Sequence, residues 1–151
     1  MSGEKVLLWL AGLGLLLPMV ICLVVATGAQ ASAPRTLVAA NNAARVEMGR
    51  KPLKVSPALM RLADKRAHRL ARIGHLTHSG FADAVHRAGY ENAGENIAFY
   101  APTPVSSQTF VKMWKESPPH AHNLYDTRWT KIGTGVARIN SREYAVVIFA
   151  Q

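Results

Sequence analysis

Apolar residues recur along this chain with two different periods. Between Arg35 and Gly49, the residues Leu37, Val38, Ala40, Ala44 and Met48 fall close to a 3, 4 and 7 spacing, which predicts a helix buried along one face and stopped by glycine. Ser56-Pro57 offers an N-cap and a first-turn proline, and Gly74 offers a left-handed C-cap, so residues 57–73 predict a second helix. Leu59, Leu62, Leu70 and Ile73 share one arc of it, while Arg61, Lys65, His68, Arg69 and Arg72 share another. A shorter helix is predicted near Phe81 to Ala88, ended by Gly89, and a fourth from about Val105 to Glu116, ended by Ser117-Pro118-Pro119. The period then changes. Ile132–Ile139 and Glu143–Ala150 are rich in β-branched and aromatic residues and are separated by Asn140-Ser141-Arg142, the pattern of an antiparallel hairpin. With a further strand at Asn96 to Tyr100, helices come first and strands late, so the pattern predicts an α+β fold rather than alternating βαβ units.

The first 31 residues are of another kind. From Val6 to Ala26 there is no charge, Lys5 precedes the run, and Thr27-Gly28-Ala29-Gln30-Ala31 follows it. This is the pattern of an export signal cleaved after Ala31, and the run is also long enough for an uncleaved membrane anchor. Either reading places the globular part, about residues 36–151, outside the cytoplasmic membrane, secreted or periplasmic after cleavage. The one cysteine, Cys22, lies inside the apolar run and follows the bulky Ile21, so neither a disulfide scaffold nor a lipid attachment signal is expected. The 151 residues allow one domain and exclude a large multidomain enzyme. A formal charge of +9 favours anionic surfaces such as the cell envelope, and equally it keeps an exported domain soluble. Nucleic acid is not expected as a partner, because no nucleic-acid motif or interleaved aromatic platform accompanies the charge.

The six histidines are His68, His75, His78, His86, His120 and His122, all within one part of the chain. His75-x-x-His78 and His120-x-His122 have metal-ligand spacing, a weak signal by itself. His68 reads as solvated, and His75 and His86 are equally readable as surface residues. Nucleophilic catalysis finds no G-x-S-x-G elbow, no H-E-x-x-H pair and no cysteine in the exported part. Ser79, next to His78, reads as a turn residue before Gly80. Gly94-Glu95-Asn96 places a carboxylate and an amide where the chain turns into an apolar segment, with Asn96 in structural use or facing a cleft. Trp114, Trp129, Phe110 and Tyr100 read as core residues or as the lining of an apolar groove.

Taken in order, several fragments resemble the CAP superfamily of cysteine-rich secretory, antigen 5 and pathogenesis-related proteins, in its short bacterial disulfide-free form. They are Asn41/Asn42 to Arg45 then Gly49, Pro52-Leu53 with Ser56-Pro57-Ala58-Leu59, Thr77-His78-Ser79-Gly80, Gly94-Glu95-Asn96-Ile97-Ala98, Trp114-x-x-Ser117-Pro118-x-His120-x-x-Asn123-Leu124, Ile132-Gly133-x-Gly135, and Tyr144 to Phe149-Ala150. The resemblance implies a three-layer α-β-α sandwich with an antiparallel sheet. It also implies a cleft with two histidines and two acids that takes zinc or another divalent metal ion. His78, Glu95 and His120 match three of the four, and Ser117 stands where eukaryotic relatives carry the second acid. Asn96 and Ser117 would lie in the same ligand cleft. The function so implied is an exported binding module for a small or lipid-like ligand. The alternative is a metal-assisted hydrolase with Glu95 as general base.

Overall fold

The computed structural model describes residues 32–151, and the export-signal or anchor reading of residues 1–31 lies outside that range. Its elements run α1 (Ala33–Glu47), β1 (Lys54–Val55), α2 (Pro57–Ile73), α3 (Phe81–Arg87), β2 (Ala93–Tyr100), α4 (Ser107–Lys115), α5 (Pro118–Tyr125), β3 (Lys131–Ile139) and β4 (Arg142–Ala150). No helix among the described residues is long and apolar enough to cross a membrane.

The sheet order is β1-β3-β4-β2. The predicted hairpin of β3 and β4 forms, and β2 pairs antiparallel with β4, so that Glu95 lies opposite Ile148. β1 adds a two-residue parallel pair at the β3 edge. β4 is central, and its side chains alternate between two buried faces. Tyr144, Val146 and Ile148 pack with Leu59, Ala63, Ala67 and Leu70 of α2. Ala145, Val147 and Phe149 pack on the other side with Leu37 of α1, Phe110 and Trp114 of α4, and Leu124 of α5. The chain is therefore an α-β-α sandwich.

Helix α2 begins and ends where its capping residues dictate. Ser56 Oγ accepts from the Leu59 backbone N–H at 3.3 Å, and Gly74 turns the chain out at φ 77°. Its packed arc differs from the leucine arc expected. Leu59, Ala63, Arg66, Ala67 and Leu70 are buried, whereas Ile73 is exposed. The reason lies in β3. A Cβ on Gly133 would sit 2.2 Å from the Leu59 backbone carbon, and one on Gly135 would sit 2.3 Å from the Ala63 carbonyl. The helix backbone at Leu59 and Ala63 lies directly on those two glycines.

Two further elements differ from the sequence expectation. Ser117-Pro118-Pro119 ends α4 and also starts α5, with the prolines in its first turn, where no intrahelical N–H is needed. β2 begins at Ala93, so Gly94-Glu95-Asn96 is extended strand rather than a turn. That extension decides where the candidate site lies.

Candidate functional site

β2 is an edge strand, and consecutive side chains along it point to opposite faces of the sheet. Glu95 faces the α2 layer, while Asn96 faces α5. Neighbours in sequence thus anchor two different halves of one cleft.

On the α2 side, Glu95 is 4% exposed and is met by Arg66. Arg66 Nε donates to Glu95 Oε1, and Nη2 donates to Oε2 at 3.0 Å, a two-pronged guanidinium–carboxylate pair. Arg66 Nη2 also reaches the Thr77 carbonyl at 3.3 Å, and its guanidinium lies 5.5 Å from the Phe81 ring centre. Arg69 Nη1 donates to the Ser79 carbonyl at 2.9 Å, and the Ser79 backbone N–H donates to Thr77 Oγ1. These bonds hold the 74–80 loop against α2, with Ser79 in a turn role. That loop presents His78, whose Nδ1 donates to Glu95 Oε2 at 2.8 Å while its side chain is 57% exposed.

On the α5 side, Asn96 is fully buried and donates through Nδ2 to the His120 carbonyl at 2.9 Å. Asn123 Nδ2 donates to Asn96 Oδ1 at 3.1 Å and to the Glu95 carbonyl at 3.3 Å, and Trp129 Nε1 donates to the Asn123 carbonyl at 3.0 Å. Asn96 therefore docks α5 onto the strand. Gly94 leaves room for this network, since a Cβ there would come within 3.0 Å of Asn123 Oδ1. The docked helix aims His120, whose Nδ1 meets Ser117 Oγ at 2.8 Å. Burial pushes the His120 imidazole below its ordinary proton affinity, and the nearby His78 adds to the shift. The two rings from distant parts of the chain thus share one electrostatic neighbourhood, and Nε2 of each makes no hydrogen bond among the described residues.

His120 and Ser117 line a hollow of about 270 Å³ with Leu76, Phe99, Met113 and Trp114. Leu76, Phe99 and Met113 are exposed large apolar residues. Phe110, Trp114 and Trp129 are buried in the core, in line with the core reading of these aromatics, and Trp114 also borders the hollow. His122 is directed elsewhere, 3.9 Å from Asp126, and the exposed His68 lies beside Asp64. His75 bonds to its own turn, at the Ile73 carbonyl.

The donor set for a metal ion differs from that implied by the sequence. Among the described residues no three His, Cys, Asp or Glu side chains form a group able to hold one. Both carboxylate oxygens of Glu95 are committed to Arg66, and one of them also to His78. Glu95 and Ser117 stand as orienting partners behind the two imidazoles, the place such oxygen atoms take behind metal-binding histidines. A three-donor zinc site of His78, Glu95 and His120 does not fit this arrangement. Arg66 was the residue missed in the sequence, although a lone cation at Leu59 + 7 on an apolar arc calls for a buried acid.

A family model described as CAP, cysteine-rich secretory protein family, matches residues 38–150. The Bacillus subtilis protein YkwD is 29% identical over 114 residues, covering 71% of this chain and 43% of its own length. The chain thus spans less than half of that relative. Among solved structures, an outer surface protein of Borrelia burgdorferi superposes with a TM-score of 0.68 at 21% identity, over 78% of this chain and 90% of that one. A cysteine-rich secretory protein of Staphylococcus aureus gives 0.66 at 22% identity, over 78% and 38%. NaASP2, solved with Zn2+, gives 0.59 at 13% identity, over 82% of each chain.

Proposed function

The chain belongs to the CAP family of cysteine-rich secretory proteins, and on that premise we propose that it is an exported binding module. Its cleft would take a small, partly apolar ligand beside His78 and His120. The observation that carries this reading is the hollow in which a half-buried imidazole meets an exposed apolar rim. Small-molecule pockets usually enclose roughly 300–1,000 Å³. At about 270 Å³ this hollow suits a small molecule or the end of an acyl chain rather than an engulfed sterol. Export is in keeping with the apolar N-terminal run and with the relatives, among them an outer surface protein.

In this reading Glu95 positions His78 and does not bind ligand. A metal-assisted hydrolase would need Glu95 as a free base, and the Arg66 pair takes up both of its oxygens. NaASP2 is named as a zinc complex. Here the two Nε2 atoms are the donors left to an ion, fewer than the three protein ligands usual for zinc.

The test is uptake of a dansyl-labelled fatty acid by the purified 32–151 domain. Phe99→Asp, which puts a charge on the apolar rim, should weaken uptake at least tenfold. Glu91→Gln, outside the cleft lining, should leave it within twofold. Equal uptake by the wild type and Phe99→Asp would refute the reading.

A further inference from the structure

A second concave surface lies at the opposite edge of the sheet and shares no lining residue with the histidine hollow. It is a groove of about 720 Å³ between the turn after α1 and the start of β3. Arg45, Arg50, Lys51, Lys54 and Lys131 line it, and no acidic residue does. The neighbouring acid, Asp126, is taken by Arg128, whose Nη2 donates to Oδ2 at 2.7 Å. Arg50, Lys51, Lys54 and Lys131 form no ion pair among the described residues.

Two features make this a built surface. Arg45 is 1% exposed, and its guanidinium donates to the carbonyls of Lys51 at 3.0 Å, Leu124 at 2.7 Å and Asp126 at 3.1 Å. It ties the backbone of the turn that carries Arg50 and Lys51 to the body of the domain. Lys54 and Lys131 are also direct register partners across the β1–β3 pair, on strands about 4.8 Å apart. That register puts two positive charges on neighbouring strands at the groove. Lys131 Nζ lies 5.2 Å from the Tyr90 ring centre, a contact that leaves its positive charge unneutralised.

We propose that this groove binds a flexible phosphate-bearing polyanionic chain. A concave trough lined by cations on both walls suits a linear polymer better than a flat lipid surface. Single-stranded nucleic acid would want aromatic faces to stack its bases, but Trp129, the aromatic residue of the lining, is 6% exposed. Binding driven by phosphate neutralisation weakens as salt rises.

The probe is inorganic polyphosphate of defined length, added to the 32–151 domain at low and at physiological salt. Lys54→Gln with Lys131→Gln should weaken binding at least tenfold. Lys65→Gln with Arg72→Gln, which removes the same charge from the exposed arc of α2, should change it less than twofold. Polyphosphate should raise the Tm of the wild type and not that of the groove variant. Equal losses for the two variants would reduce the effect to net charge and overturn the proposal. Tighter groove-dependent binding to phosphatidylglycerol vesicles or to single-stranded DNA than to polyphosphate would also overturn it, in favour of a lipid or nucleic-acid partner. None of these outcomes touches the fatty-acid result.

Discussion

Replacing Arg66 with Met tests the arrangement that sets the cleft apart from a three-donor metal site. The side chains of Arg66 and Glu95 are 6% and 1% exposed, so the pair is screened little by water. Removing one partner of a buried ion pair costs about 3–5 kcal/mol, mainly because the other charge is left uncompensated. His78 Nδ1 still donates to Glu95 and offsets part of the loss, which favours about 3 kcal/mol. With a urea m-value of about 2 kcal/mol/M, the unfolding midpoint should fall by about 1.5 M. Adding Glu95→Gln to Arg66→Met removes the stranded charge and should restore at least half of that loss. Urea unfolding followed by tryptophan fluorescence, with m compared across variants, reads all three. A midpoint change below about 0.5 M for Arg66→Met, or no recovery in the double variant, would refute the pairing as described.

The remaining predictions concern other parts of the same frame. Gly135→Ala should cost about 3 kcal/mol in urea unfolding, because its methyl meets the Ala63 backbone, which cannot rotate away; a cost below about 1 kcal/mol would contradict the close approach. His120 binds its proton less readily in the folded chain than in the unfolded one, so the unfolded state takes up more protons below about pH 6.5. Stability should therefore fall as pH drops from 7 through that window, and His120→Gln should flatten the slope; an unchanged slope would contradict the assignment. Ser117→Ala removes the oxygen beside His120 Nδ1 and should lower stability by about 1 kcal/mol, read as a Tm change with the helical signal preserved.

Much of the frame was legible in the sequence because local chemistry fixed it. Ser56-Pro57 and Gly74 bound α2, and the alternation of β3 and β4 reads directly as a buried hairpin. The second role of Pro118-Pro119 was hidden, since the same prolines that stop one helix are compatible with the first turn of the next. β1 is only two residues long and exists through its pairing with β3, which no local pattern announces. Of His78, Glu95 and His120, the three residues singled out in the sequence, Glu95 lies on β2, the loop residue His78 bonds to it, and the carbonyl of His120 in α5 accepts from Asn96 of β2. Their division of labour was not legible, because it depends on Arg66 arriving from α2. Asn96 likewise belongs with the buried anchors, since the strand pleat turns it away from Glu95 and toward the carbonyl of His120.

The measurement that bears most directly on the cleft is long-range proton–nitrogen NMR of the imidazole rings, recorded with and without the dansyl fatty acid. Added ligand should move the Nε2 signals of His78 and His120 and leave those of His68, His75, His86 and His122 in place. Unmoved rings at His78 and His120 despite bound ligand, or shifts at the other four instead, would contradict the account.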